Sequence, residues 1–344
     1  MRLPEELLAA IQREVEDIDR RALTRSSAEL TRRYRAADFS TPAIQTGEQR
    51  AAYLTARLPA TFAANWRVFS EIRQRAPDTV ITSFLDLAAG PGTALFAAAE
   101  VFPTVRQATL MESDSAWIDL GQRLAAGHSN AALHHAEWRC CDLRTPFECS
   151  SHDLVVMSYA LGELPGSAAE ALLSRAWRLA KQFLVVIEPG TMRGFDVVHS
   201  ARAFLLTQNA GILAPCPHRA ACPMAGTRDW CHFVQRLERS SAHRQAKTAS
   251  LAYEDEKFSY VAASREIFPP PAARIVRHPR KHGGHVQLTL CAGDGSRIET
   301  VFPDADSLTA FGDNMMDLST RPPAARAGYA QGRDLGEHLT KFWR

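Results

Sequence analysis

The sequence predicts an α/β protein: a mainly parallel sheet covered by helices on both faces. Three observations lead there. From Thr79 to Gly190, short apolar segments of strand character alternate with segments of helical periodicity, the pattern of a parallel sheet whose strands are buried on both sides. The first of these strands ends in a glycine turn, LDLAAGPGTA. Acidic residues close the first three strands.

Taken in order, residues 3–75 read as helices. LLAAIQREVEDI has helical apolar spacing, and DFSTPAIQTGE reads as a loop. The segment from Ala51 to Gln74 repeats apolar residues at three- and four-residue intervals, with Pro59 interrupting it. VITSFLDLAAG is then a strand, TALFAAAEVF a helix, QATLMESD a strand, AWIDLGQRLAAG a helix and AEWRCCDL a strand. HDLVVMSYALGEL is a strand with its loop, AAEALLSRAWRLA a helix, KQFLVVIEPG a strand and FDVVHSARAFLLTQNAG a helix. Two later strands are expected at KFSYVAAS and HVQLTLCAG, separated by a basic, proline-rich link.

Formal net charge is +2 over 344 residues, so no global basicity marks a nucleic-acid binder, and local basic runs carry that question. No stretch approaches the roughly 18 apolar residues of a membrane span, so no membrane partner is expected. The first twenty residues have no signal-peptide core and carry too many acids for a mitochondrial presequence. These features predict a cytoplasmic, bacterial-type protein. In a reducing cytosol, clustered cysteines are more often ligands or catalytic groups than disulfides.

The glycine turn carries the most chemistry. Asp86 ends a buried strand, Ala88 follows, and Gly90 and Gly92 let the backbone pass close to a ligand before the next helix begins. A dinucleotide fingerprint would need G-x-G-x-x-G; here Thr93 follows G-x-G and no third glycine appears, which disfavours NAD. Glu112, about twenty residues on, closes the second strand where an acid holds ribose hydroxyls, with Asp114 as a competing choice. Asp142 closes the third strand, placed to accept from an adenine amino group. The D-x-A-A-G-P-G turn and these acids resemble the S-adenosylmethionine site of a class I methyltransferase, a Rossmann-like fold. In that fold the loop after strand four, SYALGEL, lies beside the donor methyl group, so Ser158 and Tyr159 are expected at the cofactor, and Glu163 at cofactor or substrate. That loop has no Asn-Pro-Pro-Tyr motif for base amino groups and no cysteine nucleophile, so no catalytic residue is assigned. Glu188 and Gly190 close strand five at the rim.

Three of seven cysteines fall in CPHRAACPMAGTRDWCHF. Cys216, Cys222 and Cys231 have the spacing C-x5-C-x8-C, unlike the C-x2-C knuckles of common zinc sites. Three thiolates need a fourth ligand, from His218, His232 or Cys291. Four thiolates are the usual set for a 4Fe-4S cluster; zinc is the alternative that spacing does not separate. Cys140 and Cys141 are expected to pack as small hydrophobes. Radical chemistry is disfavoured, since it calls for a C-x3-C-x2-C triplet. The basic run RIVRHPRKHGGH offers Arg274, Arg277, Arg280 and Lys281 as RNA-binding residues, with TRRYR and HRQAK as further charge.

YLTARLPATF, LDLAAGPGTA, SYALGELP, the EPG turn, CPH…CP…WCHF and HVQLTLC together resemble the methyltransferase-like family associated with the ribosomal small subunit, which includes a mitochondrial ribosome assembly factor and bacterial members. The likeness runs in order from about Tyr53 to Gly295, and the cysteine block is its specific part. It implies a 4Fe-4S cluster, by position on Cys216, Cys222, Cys231 and Cys291, and binding to the small ribosomal subunit or its rRNA during assembly. A catalytic member would methylate rRNA by in-line displacement, the protein supplying proximity and orientation; the competing reading is a non-catalytic assembly factor that uses fold and metal loop as a scaffold. The expected organisation is a helical region over 1–75, a methyltransferase core over 76–210 and a cysteine-rich, metal-binding insertion over 211–250. Last strands over 251–300 complete the core sheet, and a tail over 301–344 diverges from the family's basic close.

Overall fold

The computed structural model describes residues 1–36, 44–277, 280–282, 285–295, 298–301 and 305–311, with 319, 322–324, 326–327 and 330 beyond. Most of the expected tail 301–344, and part of the expected loop DFSTPAIQTGE, lie outside the described residues. The chain begins with α1 (Glu5–Val15), α2 (Arg20–Ala36), α3 (Gly47–Ala56) and α4 (Leu58–Arg75). Thr46 and Gln49 form a capping box at the start of α3. The expected interruption falls at Arg57, and Pro59 sits in the first turn of α4, where its missing N–H costs nothing.

The core alternates β1 (Ser83–Leu87), α5 (Thr93–Val101), β2 (Gln107–Glu112), α6 (Ser115–Ala125), α7 (Ala131–His134), β3 (Glu137–Cys140), β4 (His152–Ser158), α8 (Gly166–Leu179), β5 (Ala180–Pro189) and α9 (Met192–Thr207). Beyond them come β6 (Gly211–Ala214), β7 (Phe233–Glu238), α10 (Ser241–Ala246), β8 (Tyr253–Ser264), β9 (Ala273–Ile275), β10 (Arg280–His282), β11 (His285–Ala292), β12 (Ile298–Val301) and α11 (Ala305–Phe311).

Among the described residues, the main sheet has the order β3-β2-β1-β4-β5-β8-β6, and β7 also pairs with β8. Strands β1 to β5 are parallel to one another; β8 runs antiparallel to β5, β6 and β7. The order reverses between β1 and β4, which opens a crevice at their carboxyl ends. This is the sheet of a class I methyltransferase. Phe62, Phe69 and Ile72 of α4, with the alanines of α5, pack one face; Leu172, Trp177 and Leu205 pack the other. The N-terminal helices belong to the same body: Leu7, Ala10 and Ile11 of α1 lie in the first of these cores.

Two expectations about the later strands change. HVQLTLCAG does form a strand, β11, but outside the main sheet; it joins β9, β10 and β12 in a separate antiparallel sheet. The place beside β8 is already filled. Its C-terminal part pairs with β6 and its N-terminal part with β7, two short strands that fall within the expected cysteine-rich insertion over 211–250. Asn209, with φ of 58°, ends α9 in the left-handed region, and the apolar GILA that follows is β6. Residues 211–214 and 233–238 therefore belong to the main sheet, and the expected insertion is confined to the loop between them.

Candidate cofactor pocket and cysteine cavity

Strand β1 delivers the chain into its turn fully buried. Ala88, Gly90 and Gly92 then all take positive φ, at 65°, 53° and 78°. The turn is held on β2: Ala88 and Ala89 N–H both donate to the Met111 carbonyl at 3.0 Å, and Gly90 N–H donates to Glu112 Oε2 at 2.8 Å. The other Glu112 oxygen accepts from Ser113 N–H at 2.8 Å and Asp114 N–H at 3.0 Å. Asp114 itself caps α6, so of the two acids at this strand end Glu112 is the one joined to the glycine turn. The two glycines differ. A Cβ on Gly92 would press on Leu110 and Trp138 at 3.0–3.1 Å, whereas a Cβ on Gly90 would meet no atom within 4 Å. Gly92 serves packing, and Gly90 borders open space.

Carboxyl groups crowd this space. Asp86 is 2% exposed, and burial, then the nearby Glu112, push it up to about 8. Glu188, at the end of β5, is pushed up to about 7 by burial and Glu163, despite a 3.0 Å bond from Gly162 N–H. Glu163 stands at the mouth, where the surrounding protein and Glu112 push it up to about 7. Arg193, in the first turn of α9, faces Glu163 and Glu188 and donates to the Gly162 carbonyl at 3.0 Å. These carboxyls are partly protonated near neutral pH, and a positively charged ligand in the crevice would favour their ionised form.

Ser158 and Tyr159 reach the same crevice from β4. Ser158 Oγ accepts from Asn65 Nδ2 at 2.8 Å, and Tyr159, at φ of 58°, donates its hydroxyl to Glu256 Oε1 at 2.9 Å. Arg57 lies 3.4 Å from that oxygen and 5.9 Å from the centre of the Tyr159 ring. Sequence reading missed Arg57, Asn65 and Glu256. The first two lie in or beside the YLTARLPATF stretch, which gives no hint of their partners, Glu256 of β8 for Arg57 and Ser158 of β4 for Asn65. Asp142 lies at the end of β3 as expected, but its exposed carboxylate is clamped by Arg144 at 2.7 Å and held down at about 2.

The four cysteines predicted as ligands border a common cavity. Cys216, Cys222, Cys231 and Cys291 line one cavity, between α9, the loop after β6 and β11. Burial pushes the Cys231 thiol far up, and the other three add to it; Cys291 is pushed up to about 12 by burial, then by Cys216 and Cys222. Burial thus keeps these thiols in their neutral form. His218 Nε2 lies 3.3 Å from Cys291 Sγ, whereas the His232 ring turns to the Trp230 carbonyl. Among the described residues, no group of three or more His, Cys, Asp or Glu is drawn together as the ligands of a metal ion would be. Trp230 Nε1 donates to the Gly190 carbonyl at 3.0 Å, so the cysteine loop rests on the same turn that carries Glu188.

The basic run is not one surface. Arg274 points inward: its guanidinium grips Glu71 of α4 at 2.5 and 2.9 Å, and burial is the reason it is unavailable to RNA. Arg277 is engaged by Asp229. Arg280 is exposed, and the side chain of Lys281 lies outside the described residues. In HRQAK, His243 and Lys247 both hold Glu254, while Arg244 is exposed. In TRRYR, the side chains of Tyr34 and Arg35 lie outside the described residues.

The family described as mitochondrial small ribosomal subunit Rsm22 matches residues 47–310. The chain belongs to the Rsm22 family. Curated relatives include the human ribosome assembly protein METTL17, mitochondrial, 28% identical over 71% of this chain and 55% of that protein. Another is the Rsm22-cox11 tandem protein 2, mitochondrial, of Schizosaccharomyces pombe, 26% identical over 88% of this chain and 46% of that protein. This Rsm22-family chain thus spans about half the length of these relatives. Similar solved structures include the magnesium protoporphyrin IX methyltransferase of Synechocystis, 12% identical with a TM-score of 0.40, covering 72% of this chain and 100% of that one. The N-methyltransferase NodS of Bradyrhizobium japonicum is 11% identical with a TM-score of 0.35, covering 58% and 86%. The expectation of a cytoplasmic protein is overturned: the matching family and both relatives are named as mitochondrial, which points to the mitochondrion. Half of the acids in the first twenty residues, Glu5, Glu6 and Glu14, belong to α1, whose other face packs into the core.

Proposed function

We propose that this Rsm22-family chain is a methyltransferase-like ribosome assembly factor. It binds S-adenosylmethionine at the glycine turn, holds a 4Fe-4S cluster on Cys216, Cys222, Cys231 and Cys291, and works on the small ribosomal subunit. The observation that carries the reading is the convergence of four thiols, 75 residues apart in sequence from Cys216 to Cys291, on one cavity beside a carboxylate-lined crevice. The names of the human and fission-yeast relatives support the ribosomal assignment.

The crevice suits a cofactor that carries a sulfonium. Asp86, Glu163 and Glu188 lie near it, Glu112 spans the two loops where a ribose would sit, and Gly90 leaves room for the ligand. Four cysteine thiols on one cavity would also serve zinc; they are the usual ligand set of a 4Fe-4S cubane. When bound, it would close a loop with little apolar core of its own. These residues would hold it, and Trp230 would join it to the cofactor rim.

Gly90→Leu tests the pocket. The side chain meets no protein atom but takes an unfavourable φ, at a cost of about 1 kcal/mol, so the fold survives. Affinity for S-adenosylmethionine should fall at least tenfold in calorimetric titration; unchanged affinity removes the assignment. The RNA footprint reduces to Arg280 and Lys281. Their reversal to Glu should lower the log–log salt slope of binding to small-subunit rRNA by about 0.7–0.9 per lost phosphate contact, and an unchanged slope makes the strand a solvated surface. A non-catalytic scaffold is the second reading, favoured by the commitment of Tyr159 to Glu256 in the loop beside the methyl donor. Methyl transfer from labelled S-adenosylmethionine to purified small-subunit rRNA, abolished by Asp86→Ala, supports catalysis; its absence with cofactor bound supports the scaffold.

A further inference from the structure

Arg202 lies on α9 and is 5% exposed. Its Nη2 donates to two carbonyls of the cysteine loop, those of His218 at 3.0 Å and Ala220 at 2.8 Å. It lines the same cavity as Cys216 and the other three cysteines. Its Nε has no partner at all. Among the described residues no carboxylate forms an ion pair with it, whereas the other buried arginine here, Arg274, is gripped by Glu71. A buried guanidinium without a counter-ion is strongly unfavourable, and a buried N–H without an acceptor adds to that. Both deficits point to an anion that belongs in the cavity.

Resting on the cluster reading above, we propose that Arg202 is the built-in counter-cation of the metal centre, donating to the Cys216 thiolate and, through Nε, to an acceptor of the bound group. Four thiolates around iron and sulfide leave the oxidised centre with net negative charge, and the ligands supply that charge only when deprotonated. One fixed positive charge then offsets part of it, and its hydrogen bonds draw electron density from sulfur. Both effects favour the reduced, more negative centre, so they raise its reduction potential. Arg202 is a positioning and tuning residue: it acts through sulfur and does not replace a ligand. The carbonyl bonds explain why it occupies this place on α9; they do not explain the lone Nε or the missing carboxylate.

The test uses the full chain, purified anaerobically, as wild type, Arg202→Met, Arg202→Gln and Arg202→Lys. Iron and sulfide content, visible absorption and the reduction potential by spectroelectrochemical titration are read for each, with circular dichroism as the check on folding. Arg202→Met should keep the absorption band of the cluster while its potential moves to more negative values; Arg202→Lys should keep most of the wild-type potential. A fully loaded Arg202→Met with the wild-type potential overturns the proposal, as does an Arg202→Lys shift equal to that of Arg202→Met. If Arg202→Met does not load, the decision passes to cluster content in Arg202→Lys against Arg202→Gln. Loading in the lysine variant alone supports a charge role, and equal content overturns it. If the wild type holds zinc without sulfide, the cluster reading has failed separately. The counter-cation is then read from competition with a zinc chelator: several-fold easier zinc loss from Arg202→Met supports it, and equal retention overturns it.

Discussion

Replacing Glu71 by alanine lowers the stability of the fold by about 3–5 kcal/mol, the range for removing one partner of a buried ion pair. Glu71 is 4% exposed on α4 and holds Arg274 at 2.5 Å, with Arg75 at 2.9 Å and Arg67 at 3.5 Å. Arg274 belongs to β9, so this pair pins the second sheet, and with it Cys291, to the main body. Without Glu71 the Arg274 guanidinium remains buried beside Phe233 and Tyr260 with no carboxylate to balance it. The variant should melt lower, and amide exchange should rise first in β9 and β11. The pair also sets an acid limit. The three arginines outweigh burial and hold Glu71 at about 2, against an ordinary 4.5. Its folded pKa is depressed, so its stabilisation is complete above about pH 4.5 and is lost as pH falls towards 2. Between those limits the wild type should lose on the order of 3 kcal/mol, and Glu71→Gln should lose far less over the same window. Equal acid sensitivity in the two proteins would remove this role.

Substituting serine for any one of Cys216, Cys222, Cys231 or Cys291 should abolish the broad visible absorption of the anaerobically purified protein, because a cubane held by three thiolates and a hydroxyl is readily lost. Cys149→Ser is the control. That thiol packs against the second core and is not among the residues lining the cavity, so its variant should keep full colour. The loss should disorder the loop from Cys216 to Cys231 while leaving the glycine turn folded, since β1 and β2 hold that turn from the other side. Full colour in Cys291→Ser would hand the fourth position to His218, which already lies against that sulfur.

The parallel half of the fold was legible because its signals are local. Strands β1, β2, β4 and β5 are mainly apolar, buried runs, and glycine or an acid follows most of the strand ends at the crevice. The cysteines were legible by residue type. The far end of the sheet was not: GILA is four residues long and abuts a helix, and FVQRLE is amphipathic and follows directly on the cysteine block. Their assignment depends on β8 being long enough, at 12 residues, to pair with both. The basic run misled for a related reason. Charge in sequence carries no direction, and the partner that turns Arg274 inward lies about 200 residues earlier in the chain. Asn65, Arg57 and Arg202 escaped notice for the same cause, since each is defined by contacts between elements distant in sequence.

The central claim is that four distant cysteines assemble one iron–sulfur centre beside a methyl-donor pocket. Iron, zinc and acid-labile sulfide content of the full chain, purified without oxygen, tests it most directly. The account predicts about four irons and four sulfides per chain, with zinc absent. Stoichiometric zinc without sulfide would contradict it.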